Sequence, residues 1–218
     1  MKKLFALLAV LCVSLLSGTA QAQLLIKKDF KGRMDADAYL AGAVPEQDGK
    51  VCFSATIPAE GRTAAQIYAG LSQWASFRFS AGVESGEWTD ANYFKNTDFA
   101  AIREADAEQG LIVCAANEEM VFTNKMLAKD YTLISYTLRL EVMEGAVAAT
   151  MTDIIYTYTL AEDDPERITA EDWISDAEAI NKKGQLHRTV ARFRIKTVDL
   201  ANELFTEIEA SAVQGAVE

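Results

Sequence analysis

The chain has 218 residues, half of them hydrophobic, with 21 Lys and Arg against 32 Asp and Glu and a formal net charge of −11. That balance argues against binding a phosphate backbone or an anionic membrane surface, both of which need clustered cations; acidic charge of this size serves solubility. The length suits one domain that buries a real core.

The first 22 residues read as a secretory leader. Lys2 and Lys3 give a positive start, Leu4 to Leu16 is an uncharged apolar run, and Ala20-Gln21-Ala22 supplies the small-x-small pattern of a cleavage site. The run is shorter than the ~20 residues a spanning helix needs, and Leu11 ahead of Cys12 does not suit lipidation. The expectation is an exported protein of the periplasm or cell envelope, cleaved after Ala22, with no later membrane span. Cys52 and Cys114 remain in the mature chain. Export permits a disulfide between them, whereas their apolar strand-like surroundings suit buried free thiols; spacing alone leaves both open.

Residues 23–47 form an irregular lead-in punctuated by Gly32, Gly42 and Pro45. The alternation of Val51, Phe53, Ala55 and Ile57 predicts a strand, which Pro58 and Gly61 end. Thr63 with Gln66 is a capping box, followed by Ile67, Leu71 and Trp74 at helical spacing, extended by Phe77 or Phe79 and closed by Gly82 and Gly86. Residues 83–99 read as a loop carrying Trp88, Tyr93 and Phe94. Two strands near 100–107 and 111–118 turn at Gln109-Gly110, and the doubly apolar run from Leu111 to Ala116 predicts a central strand. A loop or short helix is expected over 119–129.

Glu144-Gly145 predicts a hairpin joining Tyr131–Met143 to Ala146–Leu160. With Met143 paired to Ala146, one face carries Ile134, Tyr136, Leu138, Leu140 and Val142 opposite Ile155, Asp153, Met151, Ala149 and Val147. The acidic stretch Glu162 to Glu166 is a loop. Thr169 then caps a helix, with Asp172 three residues on, Trp173, Ala177 and Ile180 on its buried side, and Lys182, Lys183 and Gly184 at its end. A final helix runs from about Leu186 to Ala212. Its stripe of Leu186, Val190, Phe193, Leu200, Leu204 and Ile208 is interrupted by Thr197. The expected fold class is α+β: an antiparallel sheet in the order β-α-β-β-β-β-α-α with helices packed on one face.

Several pieces resemble a known family, the domain of unknown function 4468, found in exported bacterial proteins. They are Asp48-Gly49-Lys50-Val51-Cys52-Phe53-Ser54, the strand Tyr136-Thr137-Leu138-Arg139-Leu140-Glu141-Val142, and Met151-Thr152-Asp153-Ile154, with Trp173-Ile174 and Arg192-Phe193-Arg194 in the tail. The likeness spans about residues 48–210. It implies a TBP-like fold, a curved antiparallel sheet backed by helices, and export. It implies neither an activity nor DNA binding, because a fold does not carry a function with it. Together these readings divide the chain into a leader (1–22), the lead-in (23–47), a single domain (48–212) and a short tail (213–218).

Chemistry-bearing patterns are sparse. His187, at the start of the last helix, has no spaced companion for a triad or a zinc site, and Asp163-Asp164 lacks calcium-loop spacing. No cofactor, metal or catalytic residue is expected. Asp153 is the one acid that the hairpin register places on an apolar face, either as a hydrogen-bonded strand residue or as a perturbed carboxylate in a cleft. The other sheet face gathers Tyr131, Leu133, Ile154, Tyr156 and Tyr158, a candidate interaction patch unless another segment covers it. The expected function is a non-enzymatic binding domain with an envelope protein as partner. The alternatives are a carrier of a small apolar ligand held between the sheet and the C-terminal helix, and a hydrolase of an envelope polymer.

Overall fold

The computed structural model describes residues 30–80, 99–125, 128–158 and 166–214. The leader, the helix-closing Gly82 and Gly86, the loop with Trp88, Tyr93 and Phe94, most of the acidic stretch and the last four residues lie outside the described residues, as does the Tyr158 side chain.

The lead-in starts with a single helical turn, α1 (Phe30–Arg33), and a 3-10 turn at Asp37–Tyr39. It reaches the domain through the small ribbon β1 (Glu46–Gln47) and β2 (Lys50–Val51), and β3 (Phe53–Pro58) follows directly. Val51, Phe53 and Ile57 are buried on one side, as alternation predicts. Helix α2 (Ala64–Arg78) begins at the expected capping box: the Thr63 side chain accepts from the Gln66 amide, and the Gln66 side chain accepts from the Thr63 amide. Ile67, Leu71 and Ala75 form its buried stripe; Phe79 is buried beyond its end while Phe77 is exposed.

Strands β4 (Phe99–Asp106), β5 (Leu111–Lys125), β6 (Ala128–Met143) and β7 (Ala146–Tyr158) form an antiparallel meander. The sheet order is β3-β7-β6-β5-β4, and β8 (Glu166–Thr169) pairs with β7 beyond the end of β3. Within the loop or helix expected over 119–129, residues 119–125 instead continue β5 and residues 128–129 begin β6. Met120 and Phe122 are both buried and keep the strand alternation going, so pairing with β6 extends past the expected end. Strand β8 begins at Glu166, the last residue of the expected acidic loop. Gly110, at φ 65, makes the β4–β5 turn; a Cβ there would come within 2.7 Å of the Val142 carbonyl oxygen. At the β4 edge a register shift at Arg103 and the exposed Arg103 and Glu104 blunt strand addition.

The hairpin register begins as expected, with Met143 opposite Ala146 and Leu138 opposite Met151. It then shifts by one residue, because Thr137 faces Thr152 while Ser135 faces Ile155. Asp153 sits in this bulge at φ 53. The expectation that Asp153 lies on the apolar face is therefore corrected. The extra residue turns its carboxylate outward to exposure and brings Ile154 and Tyr156 inward, at 1% and 0% exposed.

Two short helices, α3 (Ala170–Trp173) and α4 (Asp176–Ala179), replace the single helix expected after Thr169. Thr169 does cap the first, accepting from the Asp172 amide at 3.3 Å. The buried residues are Ala170, Ile174, Ser175 and Ala179, whereas Ala177 is exposed. The last helix, α5 (Ala191–Gln214), starts five residues later than expected because Leu186 instead bridges to Ile180. Helices α2 and α5 pack on the same sheet face, where Phe193, Leu204 and Ile208 join Leu138, Leu140, Ala149 and Met151 in one core.

A β-branched side chain does not tolerate the left-handed backbone of the bulge, and the strain is about 1–2 kcal/mol. We expect Asp153→Val to lower stability by about that amount in urea denaturation, and Asp153→Gly to be neutral or slightly stabilising. A Val variant as stable as the parent would contradict the bulge.

Candidate functional site

The described members of the aromatic set, Tyr131, Leu133, Ile154 and Tyr156, do not form an open surface. Leu133, Ile154 and Tyr156 are 2%, 1% and 0% exposed, and Tyr131 is half-buried. The bulge is the cause for Ile154 and Tyr156, which join the helix-facing core rather than the outer face. Tyr156 packs edge-on against Phe193, with ring centroids 5.2 Å apart, and shares a 2.6 Å hydrogen bond with Thr197. Thr197 donates to the Phe193 carbonyl oxygen at 2.9 Å, so the Tyr156 hydroxyl is the donor to Thr197. The polar break in the α5 stripe thus accommodates the hydroxyl of a buried tyrosine. Asp153 is exposed, with Thr152 Oγ1 at 3.4 Å, and is not a carboxylate in a cleft.

The largest fully buried side chain is Arg194, which the sequence presents only as one residue of a short motif. Its guanidinium donates to the carbonyls of Tyr39 (2.7 Å), Leu40 (2.6 Å) and Ile174 (2.5 Å) and to Asp176 Oδ1 (2.6 Å). The second Asp176 oxygen accepts from the Gly42 amide at 2.7 Å. A second clasp lies one helical turn along α5, where Arg33 Nη2 contacts both Asp199 oxygens at 2.7 and 2.8 Å and Tyr39 donates to Asp199 at 2.9 Å. The lead-in is therefore fastened to α5 from Phe30 onward. Helical spacing is the signal for Arg194: Val190, Arg194, Thr197, Val198 and Ala201 share the buried face.

Beside this clasp a cleft of about 360 Å³ opens between the sheet and α5. Arg78, Glu118, Met120 and Ile134 border it on the sheet side. Lys196, Asp199, Leu200 and Glu203 border it from the helix. Glu118 stands on the helix-facing side of β5, where Cys114 and Ala116 precede it in the core. Its charge is met by Arg78 Nη2, 2.9 Å from each carboxylate oxygen, and by the Tyr136 hydroxyl, which donates to it. Glu207 extends the network, accepting from Trp74 Nε1 at 3.0 Å. Burial pushes the Tyr136 pKa well up, and the adjacent Glu118 charge adds to the effect. For Arg78 burial works against the charge, but Tyr136, Glu118 and Glu207 outweigh it and hold its pKa above the ordinary value. Nothing in the sequence links these residues: Arg78, Glu118 and Glu207 are ordinary surface types, and Trp74 and Tyr136 read only as core side chains.

Cys52 and Cys114 are free and buried, which resolves the cysteine question for the described structure. His187 is exposed and precedes α5 in a turn, its amide donating to the Ala179 carbonyl. Among the described residues no group of three His, Cys, Asp or Glu is placed to hold a metal, and no helix is long and apolar enough to cross a membrane. Burial raises the Cys114 thiol to about 12. A raised folded-state pKa contributes stability that is full below the unfolded value and is lost as pH rises through the folded value. We expect stability to fall as pH climbs from about 9 toward about 12. Cys114→Ala, although less stable at neutral pH, should fall less steeply over the first part of that range; identical slopes would contradict the assignment.

The architecture is matched by solved structures. A DUF4468 family protein from Bacteroides ovatus ATCC 8483 is 31% identical over 82% of this chain and 95% of that one, with a TM-score of 0.68. A TBP-like protein from Parabacteroides distasonis ATCC 8503 shares the fold at 20% identity, over 79% of this chain and 99% of that one, with a TM-score of 0.61. No curated protein sequence matches the chain. The family profile described as "Domain of unknown function (DUF4468) with TBP-like fold" matches residues 53–157. With this profile match and a relative of that identity and coverage, the chain belongs to the DUF4468 family.

Proposed function

We propose that this protein is an exported, non-enzymatic binding domain of the cell envelope, and that its ligand seats in the cleft between β5 and α5. The observation that carries the reading is the cleft itself. Its volume of about 360 Å³ is in the range of small-ligand sites. Its walls are held before any ligand arrives, because Arg78 is fixed by Glu118 and Asp199 by Arg33 and Tyr39. A preorganised wall avoids the ordering entropy that weakens binding. The Glu118 and Asp199 carboxylates, already committed to arginine ion pairs, suit recognition rather than proton transfer. The leader-like first 22 residues support export.

The alternative of an apolar ligand shares this location. The charged border of the cleft favours a polar occupant instead, and the space beneath α5 is filled by core side chains such as Tyr156, Phe193 and Leu204.

The test is a photo-crosslinking residue at Val121, which borders the cleft without entering its ion pairs. In cells it should give a discrete adduct that the same probe at the exposed Arg139, far along β6, does not give. Equal labelling from both positions, or none from Val121, would refute the cleft as the binding site.

A further inference from the structure

Pairing up the charges around the cleft leaves two over. Arg78 is matched by Glu118, and Asp199 by Arg33 and Tyr39; Glu119 has interactions of its own. Among the described residues, Lys196 and Glu203 are the charged groups of the cleft border without an ion pair. They lie seven residues apart on α5, and both face the cleft. At 1.5 Å of rise per residue their Cα atoms are about 10 Å apart along the helix. Leu200 lies between them, with Ile134 and Met120 across from it on the sheet. One face of the cleft therefore reads cation, apolar centre, anion.

We infer that the cleft takes a short zwitterionic peptide of about three residues, lying extended along α5. An extended chain advances about 3.3 Å per residue, so three residues span the distance from Lys196 to Glu203. The peptide carboxylate meets Lys196, its amino group meets Glu203, and an apolar central side chain rests on Leu200. Two opposite charges at fixed separation read both the length and the direction of the peptide. A ligand of single sign satisfies one end and is repelled at the other. This assignment rests on the cleft being the binding site, and its test separates the two claims.

The probe is the tripeptide Gly-Leu-Gly, titrated by calorimetry into the full chain at low salt, beside its N-acetylated and C-amidated forms. Blocking either end should weaken binding about fivefold, the worth of one partly exposed ion pair. Lys196→Glu should weaken binding at least as much, and the charge-exchanged variant Lys196→Glu/Glu203→Lys should restore it by holding the peptide in the reverse direction. Circular dichroism confirms that each variant is folded; both positions are at the surface of α5. Equal binding of free and blocked peptides overturns the inference, as does failure of the exchanged variant to recover. If no tripeptide binds while the Val121 probe still captures an adduct, the peptide assignment falls and the cleft stands. If both fail, the cleft reading falls as well.

Discussion

The Arg194 guanidinium is withdrawn entirely from water, and three backbone carbonyls and the Asp176 carboxylate surround it. Removing such a charge from solvent is opposed by several kcal/mol, and only near-complete hydrogen bonding offsets it. The planar fork of arginine meets that requirement; the point charge of lysine does not. Three segments far apart in the chain must converge to supply the acceptors: Tyr39–Leu40, Ile174–Asp176 and α5 itself. The arrangement is therefore a packing constraint as much as a source of stability. Any other seating of α5 or of the lead-in leaves a buried charge or buried carbonyls unmet.

The cleft inherits its shape from this constraint. Arg194 sets where the first turns of α5 lie, and Asp199, one turn along, is gripped by Arg33 and Tyr39 of the same lead-in. On the opposite wall, the Arg78–Glu118–Tyr136 network ties the end of α2 to the sheet. Each wall thus has its own clasp, and Glu207 of α5 joins the second one through Trp74 at 3.0 Å. Where the helix and sheet meet closely, apolar side chains fill the interior: Phe193 stacks with Phe122, Tyr156 and Trp173 at 4.7, 5.2 and 5.8 Å. Glu118 interrupts the apolar helix-facing row of β5 between Ala116 and Met120, and the cleft opens beside it.

Features determined within a few residues were legible in the sequence. The Thr63 capping box, the Glu144-Gly145 turn, the alternation of β3 and the centrality of β5 all rest on local chemistry, and each stands as expected. Features determined by tertiary pairing were not. The lengths of β5 and β6 depend on each strand finding the other beyond residue 118. The bulge at Asp153 depends on burying Ile154 and Tyr156 in preference to an acid, and a perfect register assumes that nothing competes with it. Thr197 read as a flaw in the α5 stripe because its partner, Tyr156, lies on another strand. Arg194 had the right helical phase to be buried, yet its residue type argued for the surface until its acceptors were known. The cleft was the least legible feature, since its charged residues come from α2, β5 and α5 and nothing in their spacing links them.

The most direct measurement of the central claim is amide hydrogen exchange on Arg194→Lys, which keeps the charge and removes the planar fork. The Gly42 amide, bound to Asp176, should lose protection together with the turn around Ala179, while paired amides of β5 and β6 keep theirs. Unchanged protection at Gly42 would show that the lead-in and α5 are held by something other than the buried guanidinium, and would contradict the account.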